Sequence, residues 1–176
     1  WYDGAGLITG ATVSTYTPPS TPVGVMNYYV IVQGEGSGCE TQSTTAQVIV
    51  TPGPSIADQP LATQTICLDG TPQDLTVTYI NGVGDPTYQW YVSDTCDTTD
   101  LTSAITDATS SSYTPPSGEL GTFYYFAVLT FSQGGCDAIV SECAAVVIIP
   151  DPVATIDSDL VNTICDGGEI ANISVS

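Results

Sequence analysis

One stretch of this chain is written twice. Trp1-Tyr2 returns as Trp90-Tyr91, and Ala11-Thr12 followed by Tyr16-Thr-Pro-Pro-Ser returns as Ala108-Thr109 followed by Tyr113-Thr-Pro-Pro-Ser. Gly24 with Tyr28-Tyr29-Val30 is answered by Gly121 with Tyr124-Tyr125-Phe126. Gly38-Cys39 matches Gly135-Cys136 at a spacing of 97, and Thr65-Ile66-Cys67 matches Thr163-Ile164-Cys165 at a spacing of 98. Self-similarity at a fixed period marks a repeat architecture in which each period is one structural unit. The 176 residues are therefore expected to hold three pieces of a longer protein. These are the C-terminal part of one module (1–52), a complete module (53–150) and the N-terminal part of a third (151–176).

Within the complete copy the apolar residues recur at period two or in short β-branched and aromatic runs, broken by Gly, Pro, Asn and Asp, which is strand punctuation. No helical periodicity is present. Strands are expected at Thr63–Cys67, Leu75–Ile80, Thr87–Val92, Ser111–Thr114, Thr122–Phe131 and Ile139–Ile149. About seven strands in ~100 residues with a Trp on the third major strand fits an all-β, immunoglobulin-like sandwich. Comparing copies, Tyr124, Phe126 and Val128 are expected to face inward, as are Ala144, Val146 and Ile148, closing a core with Trp90, Leu75 and Val77. The Pro-Pro step of each Tyr-Thr-Pro-Pro-Ser element removes two ladder donors, so a strand must end there. Thr51-Pro-Gly-Pro54 and Pro150-Asp-Pro152 read as short extended linkers that space the modules without touching them.

Composition then removes whole classes of function. The chain has 19 Asp plus Glu and no Lys, Arg or His, a formal charge of −19. Nothing neutralises phosphate, so nucleic acid and anionic lipid are repelled. Without His or Lys there is no Ser-His triad, imidazole metal ligand, Schiff base or phosphate-clamping lysine. Proteases that cut after Lys or Arg find no site. Charged residues make up only 11% and hydrophobic ones 42%, which is a folding composition and not a disordered one. The longest apolar run, Ala144 to Ile149, is far short of the ~20 residues of a membrane helix.

The six cysteines lack the two-residue spacing of zinc or redox motifs and point to disulfides and an oxidising, extracellular setting. Cys67 and Cys136 occupy positions that recur once per module and are expected to pair. Cys96 and Cys143 have no counterpart in the first copy, so two private cysteines arriving together are expected to be partners. The strand order places Cys67 and Cys136 near opposite ends of a sandwich. A Cys67–Cys96 pairing and a bridge to a neighbouring copy therefore stay open.

The pattern ICxxG, YQWY, ATSSSYTPPSGELGTFYY and GGC followed by an alternating last strand resembles a known family. It is similar to the immunoglobulin-like or PKD-like tandem repeats of very large Bacteroidetes surface proteins exported by the type IX secretion system, gliding adhesins of the SprB type among them. The resemblance covers nearly the whole chain. It implies a cell-surface stalk or filament, with the secretion and gliding machinery as partners and no catalytic residues.

Three further chemistries are legible. Asp94, Asp97 and Asp100 cluster in the run that only the second copy has, and Asp157, Asp159 and Asp166 near the second linker. Hard oxygen ligands at short spacing suit calcium, the one cofactor these residues could take. Asp97-Thr98-Thr99 resembles the O-glycosylation sequence of exported Bacteroidetes proteins, with Thr98 as acceptor, and Asn172-Ile173-Ser174 fits an N-glycan sequon. Paired-carboxylate hydrolysis needs two acids facing across a cleft, for which the sequence holds no signature. The expected function is a non-enzymatic extracellular spacer, with a substratum or polysaccharide gripped by other parts of the protein. Its rivals are a carbohydrate-binding module using Tyr2, Tyr91 or Tyr125, and a self-assembling filament subunit.

Overall fold

The computed structural model describes residues 1–36, 38–154 and 166. The Thr163-Ile164-Cys165 repeat, Asp157, Asp159 and the Asn172 sequon lie outside the described residues. Among the described residues every regular element is a strand.

The run Thr87–Ser93 (β11, counting strands in chain order) is rich in aromatic and β-branched residues, which favour a pleated, half-buried surface, and it pairs antiparallel with Gly121–Thr130 (β13). The other edge of β13 takes Ala144–Ile149 (β15), antiparallel, and Ile139–Val140 (β14) joins farther along. Thr63–Cys67 (β8) then pairs with β15 in parallel, closing a sheet of order β11-β13-β15-β8. A second group comprises Ser55–Asp58 (β7), Leu75–Thr76 (β9), Thr78–Ile80 (β10) and Ser112–Tyr113 (β12). β9 pairs with β12 and β10 with β7. Only Val77 separates β9 from β10, so these short pieces continue one another.

Residues of both groups share one core. Leu75, Val77, Trp90, Tyr125, Ala127, Leu129, Phe131, Ala144, Val146 and Ile148 are buried in a single cluster. At ~1.5 to 3 kcal/mol for each fully buried large apolar side chain, this cluster is the main source of stability. Trp90, Leu75, Val77 and the Ala144–Val146–Ile148 face stand where the sequence places them. The inward face of β13 does not. Tyr125, Ala127, Leu129 and Phe131 point into the cluster, and Phe126 and Val128 lie outside it, although both are buried. The expected register was off by one position.

The first 50 residues form the smaller pieces Tyr2–Asp3 (β1), Gly6–Leu7 (β2), Gly24–Tyr28 (β3), Ile31–Gln33 (β4), Glu40–Gln42 (β5) and Ala46–Val50 (β6). Their bonding repeats that of the later stretch. The Trp1 amino group and the Trp90 main-chain N–H donate to the carbonyls of Ala11 and Ala108 (3.1 and 3.0 Å). Their indole N–H groups donate to the carbonyls of Val13 and Ser110 (3.0 and 2.9 Å). The Ser43 and Ser141 hydroxyls accept from the N–H groups of Val30 and Ala127 (3.0 and 2.9 Å). Tyr16 lies 6.0 Å from Trp1 and 5.6 Å from Tyr28, and Tyr113 lies 6.0 Å from Trp90 and 5.7 Å from Tyr125. Gly24 and Gly121 open matching strands at φ +146° and +149°, a conformation that a residue with a Cβ rarely adopts. These pairs set Tyr28 against Tyr125, which corrects the register error in β13.

Candidate functional site

Three features stand out: a disulfide-strapped run on one face, an apolar groove, and a crevice where the first stretch meets the second.

The run after β11 carries Asp94, Cys96, Asp97, Thr98 and Asp100. Its covalent tie is Cys96–Cys143, with an S–S distance of 2.08 Å and Cα atoms 5.8 Å apart, the ordinary spacing of a disulfide. Cys143 immediately precedes Ala144. Ala144 points into the core, so alternation along the strand turns Cys143 to the outer face. Phe126 also points away from the core and is nevertheless fully buried, stacked on Tyr91 with ring centroids 5.2 Å apart. Its counterpart in the first stretch, Tyr29, stacks on Tyr2 at 5.1 Å but is only half-buried, and no matching run lies there.

The acids of this run do not converge. The Asp97 carboxylate accepts from the Thr99 main-chain N–H (2.9 Å) and hydroxyl (2.6 Å), and Asp100 accepts from Thr102 in the same way (3.0 and 2.7 Å). These bonds hold both carboxyls below the usual carboxylate range, because hydrogen bonds to the charged form favour it. Each side chain is engaged in its own local turn. Among the described residues no three acidic or thiol groups gather as metal ligands. The expected calcium set Asp94, Asp97 and Asp100 is thus not assembled here. Thr98, the expected glycan acceptor, is half-buried in the turn.

Cys67 and Cys136, expected to pair, are both free thiols. The reason is strand length. Cys67 ends β8 opposite Ile149, at the Gly121 end of β13, and Cys136 lies beyond the Thr130 end. Ten residues of β13 at ~3.3 Å each separate the two poles by about 30 Å, whereas a disulfide tolerates at most ~6.8 Å between Cα atoms.

The apolar groove has a volume of about 540 Å³ and is lined by Val92, Ile105, Tyr113, Pro116, Phe123 and Tyr125, with Glu119 at its margin. A groove of about 430 Å³ with Tyr16, Pro19, Met26 and Tyr28 occupies the matching place in the first stretch. The recurring Tyr-Thr-Pro-Pro-Ser element therefore supplies a wall as well as ending a strand. Burial pushes the Tyr125 phenol up to about 12, with Tyr113 adding to the effect. Tyr125 is 2% exposed, which removes it as a sugar-stacking platform. Tyr2 and Tyr91 present only part of their surface, since one face of each stacks on a neighbouring ring. One carboxyl borders the groove, and glycoside hydrolysis takes two.

The crevice, about 510 Å³, has Ile49, Val50 and Thr51 on one side and Val83, Cys136 and Ile139 on the other. The linker is fastened beside it and does not merely space the two stretches as expected. The Gly82 N–H donates to the Pro52 carbonyl (3.3 Å). A Cβ on Gly82 would lie 2.8 Å from the Phe131 ring and 3.2 Å from Pro54, so glycine is what lets the linker seat there. No side-chain pattern in the sequence marks this seat; the only signal is the Asn81-Gly82 turn, with φ of +63° and +87°.

Among the described residues the fold is all-β, and the sequence supplies thiols, tyrosines and acids but no Lys, Arg or His. The chain belongs to the family described as a domain of unknown function (DUF8696), whose model matches residues 57–150, from within β7 to the residue after β15. No curated protein and no solved structure matches it significantly.

Proposed function

We propose that this chain is a non-enzymatic, load-bearing segment of an extracellular surface protein, built from tandem immunoglobulin-like sandwiches that act as a spacer or stalk in attachment or gliding. The two stretches that share one bond pattern are, on this reading, consecutive modules, joined by short proline-rich linkers and exported to the cell surface. The parallel pairing of β8 with β15 carries the reading. Tension enters the module at residue 53 and leaves at residue 150. The load passes first through β7, held to β10 by three registered pairs, and beyond it pulls β8 and β15 in opposite directions along their own axes. All five registered pairs from Ala145↔Thr63 to Ile149↔Cys67 are then loaded together, with the flanking bonds Ala145 N–H to Ala62 carbonyl (2.8 Å) and Leu68 N–H to Ile149 carbonyl (2.9 Å). Shear of this kind resists force better than opening one pair after another, because no single bond can yield first.

Single-molecule pulling of the chain tests this. Handles attached at residues 53 and 150 are expected to give one abrupt rupture. Handles at Ser93 and Tyr124, the last registered pair of β11 with β13, are expected to open the sheet stepwise at clearly lower force. Equal forces in the two geometries would remove the load-bearing role. Saturable retention on a polysaccharide matrix, lost in Tyr91→Ala, would favour a carbohydrate-binding module instead.

A further inference from the structure

Cys67 and Cys136 sit at opposite poles of one module, and register shows what each would meet in an array. Residue 51 is the counterpart of Ile149, because Gly24 pairs with Val50 as Gly121 pairs with Ile148. In the complete module Cys67 is the strand partner of Ile149. A complete module ending at Thr51 therefore places its own Cys67 counterpart beside Thr51. Thr51 and Cys136 line the same crevice. Register thus brings the thiol at the end of one module's first-sheet strand to the crevice that Cys136 of the following module lines.

We propose that consecutive modules are joined by a disulfide from Cys67 of one to the Cys136 counterpart of the next, locking the hinge at every linker. This rests on the tandem reading above. Three observations support it independently of the sequence match. Both thiols are free and half-buried, the module already holds one disulfide, and Gly134 and Gly135, at φ +69° and +63°, shape the loop that carries Cys136 into the crevice. A Cβ on Gly134 would lie 2.6 Å from the Val83 side chain, so the loop is held tightly against the crevice wall. The chemistry needs a low-molecular-weight disulfide oxidant such as oxidised glutathione. The Cys67 thiolate displaces one glutathione thiolate to form a mixed disulfide. The Cys136 thiolate of the next module then displaces the second, so two protein thiols become one disulfide and one oxidant becomes two glutathione thiols.

The test uses the full chain with an extra copy of residues 53–150 inserted after Pro150. In both variants Cys39 and Cys165 are replaced by Ser; in the forward variant the first copy carries Cys136→Ser and the added copy Cys67→Ser, leaving the pair the proposal joins. In the reverse variant the substitutions are exchanged, leaving the two distant poles. Both are equilibrated in glutathione buffer, free thiols are titrated, and a peptic digest is analysed unreduced. Pepsin is chosen because trypsin has no site and because acid suppresses the thiolate that drives exchange. The forward variant is expected to lose two free thiols per chain and yield the Cys67–Cys136 linked peptide, and the reverse variant to lose none. Equal thiol counts in the two variants, with Cys96–Cys143 formed in both copies, would overturn the proposal and leave the array reading intact. Failure of the added copy to form its own Cys96–Cys143 bond would overturn both.

Discussion

Reduction of Cys96–Cys143 is expected to lengthen what residues 53–150 release when pulled open, by an amount the structure fixes. The bond joins residues 47 apart in sequence whose Cα atoms are 5.8 Å apart. A stretched chain spans at most ~3.3 to 3.6 Å per residue, so the closed loop withholds about 155 to 170 Å, less the few Å of the bridge itself. The enclosed residues are half of those between Ser55 and Ile149, so the contour length released by unfolding should roughly double. The same bond also restricts the unfolded chain. For a loop of this size the entropic stabilisation is about 4 kcal/mol, so reduced protein should unfold at lower denaturant as well as extend farther. The assay is force spectroscopy with handles at residues 53 and 150, in the presence and absence of reductant, with Cys96→Ser/Cys143→Ser as the reductant-independent control. If the released length is unchanged by reduction, or if the double variant differs from reduced protein, the assignment of the bridge is wrong.

Other outcomes follow from single bonds. Ser141→Ala leaves the buried Ala127 N–H without its 2.9 Å partner and should cost about 1 to 3 kcal/mol in urea unfolding, whereas the exposed match Ser43→Ala should cost about 0.5 kcal/mol or less. Gly121→Ala forces a side chain onto φ +149° and should destabilise by about 1 to 3 kcal/mol, read as a lowered midpoint at unchanged slope. Burial raises the phenols of Tyr125, to about 12, and of Tyr113. Above pH ~10 the unfolded chain loses phenolic protons that the folded chain keeps, so stability should fall as pH rises from about 10 to 12. Denaturation midpoints across that range, together with tyrosinate absorbance, check the sign; a midpoint that rises with pH would contradict it.

The parts that sequence reasoning located were those where only one face of a strand is buried. β15 alternates cleanly, with Ala144, Val146 and Ile148 buried and the residues between them more exposed, and its core face is legible from period two. β13 is buried on both faces from Tyr125 to Leu129, so its apolar run has no alternation to read, and the comparison of copies slipped by one residue. The Cys96–Cys143 bond was legible because both cysteines are private to one copy. The strand order already set Cys67 and Cys136 near opposite ends, and the ten-residue run of β13 turns that conflict into a separation no disulfide spans. The seat of the linker on Gly82 left no trace in composition, because it is made by main chain and by the absence of a Cβ.

The two tryptophans of the chain each stand 6.0 Å from a tyrosine that touches a second tyrosine. Tyrosine excitation reaches an indole across such a gap with high efficiency, so light absorbed by either trio emerges as tryptophan fluorescence while that trio is intact. Each of the two stretches thus carries its own optical gauge, and the ratio of tyrosine to tryptophan emission reports which of them has opened.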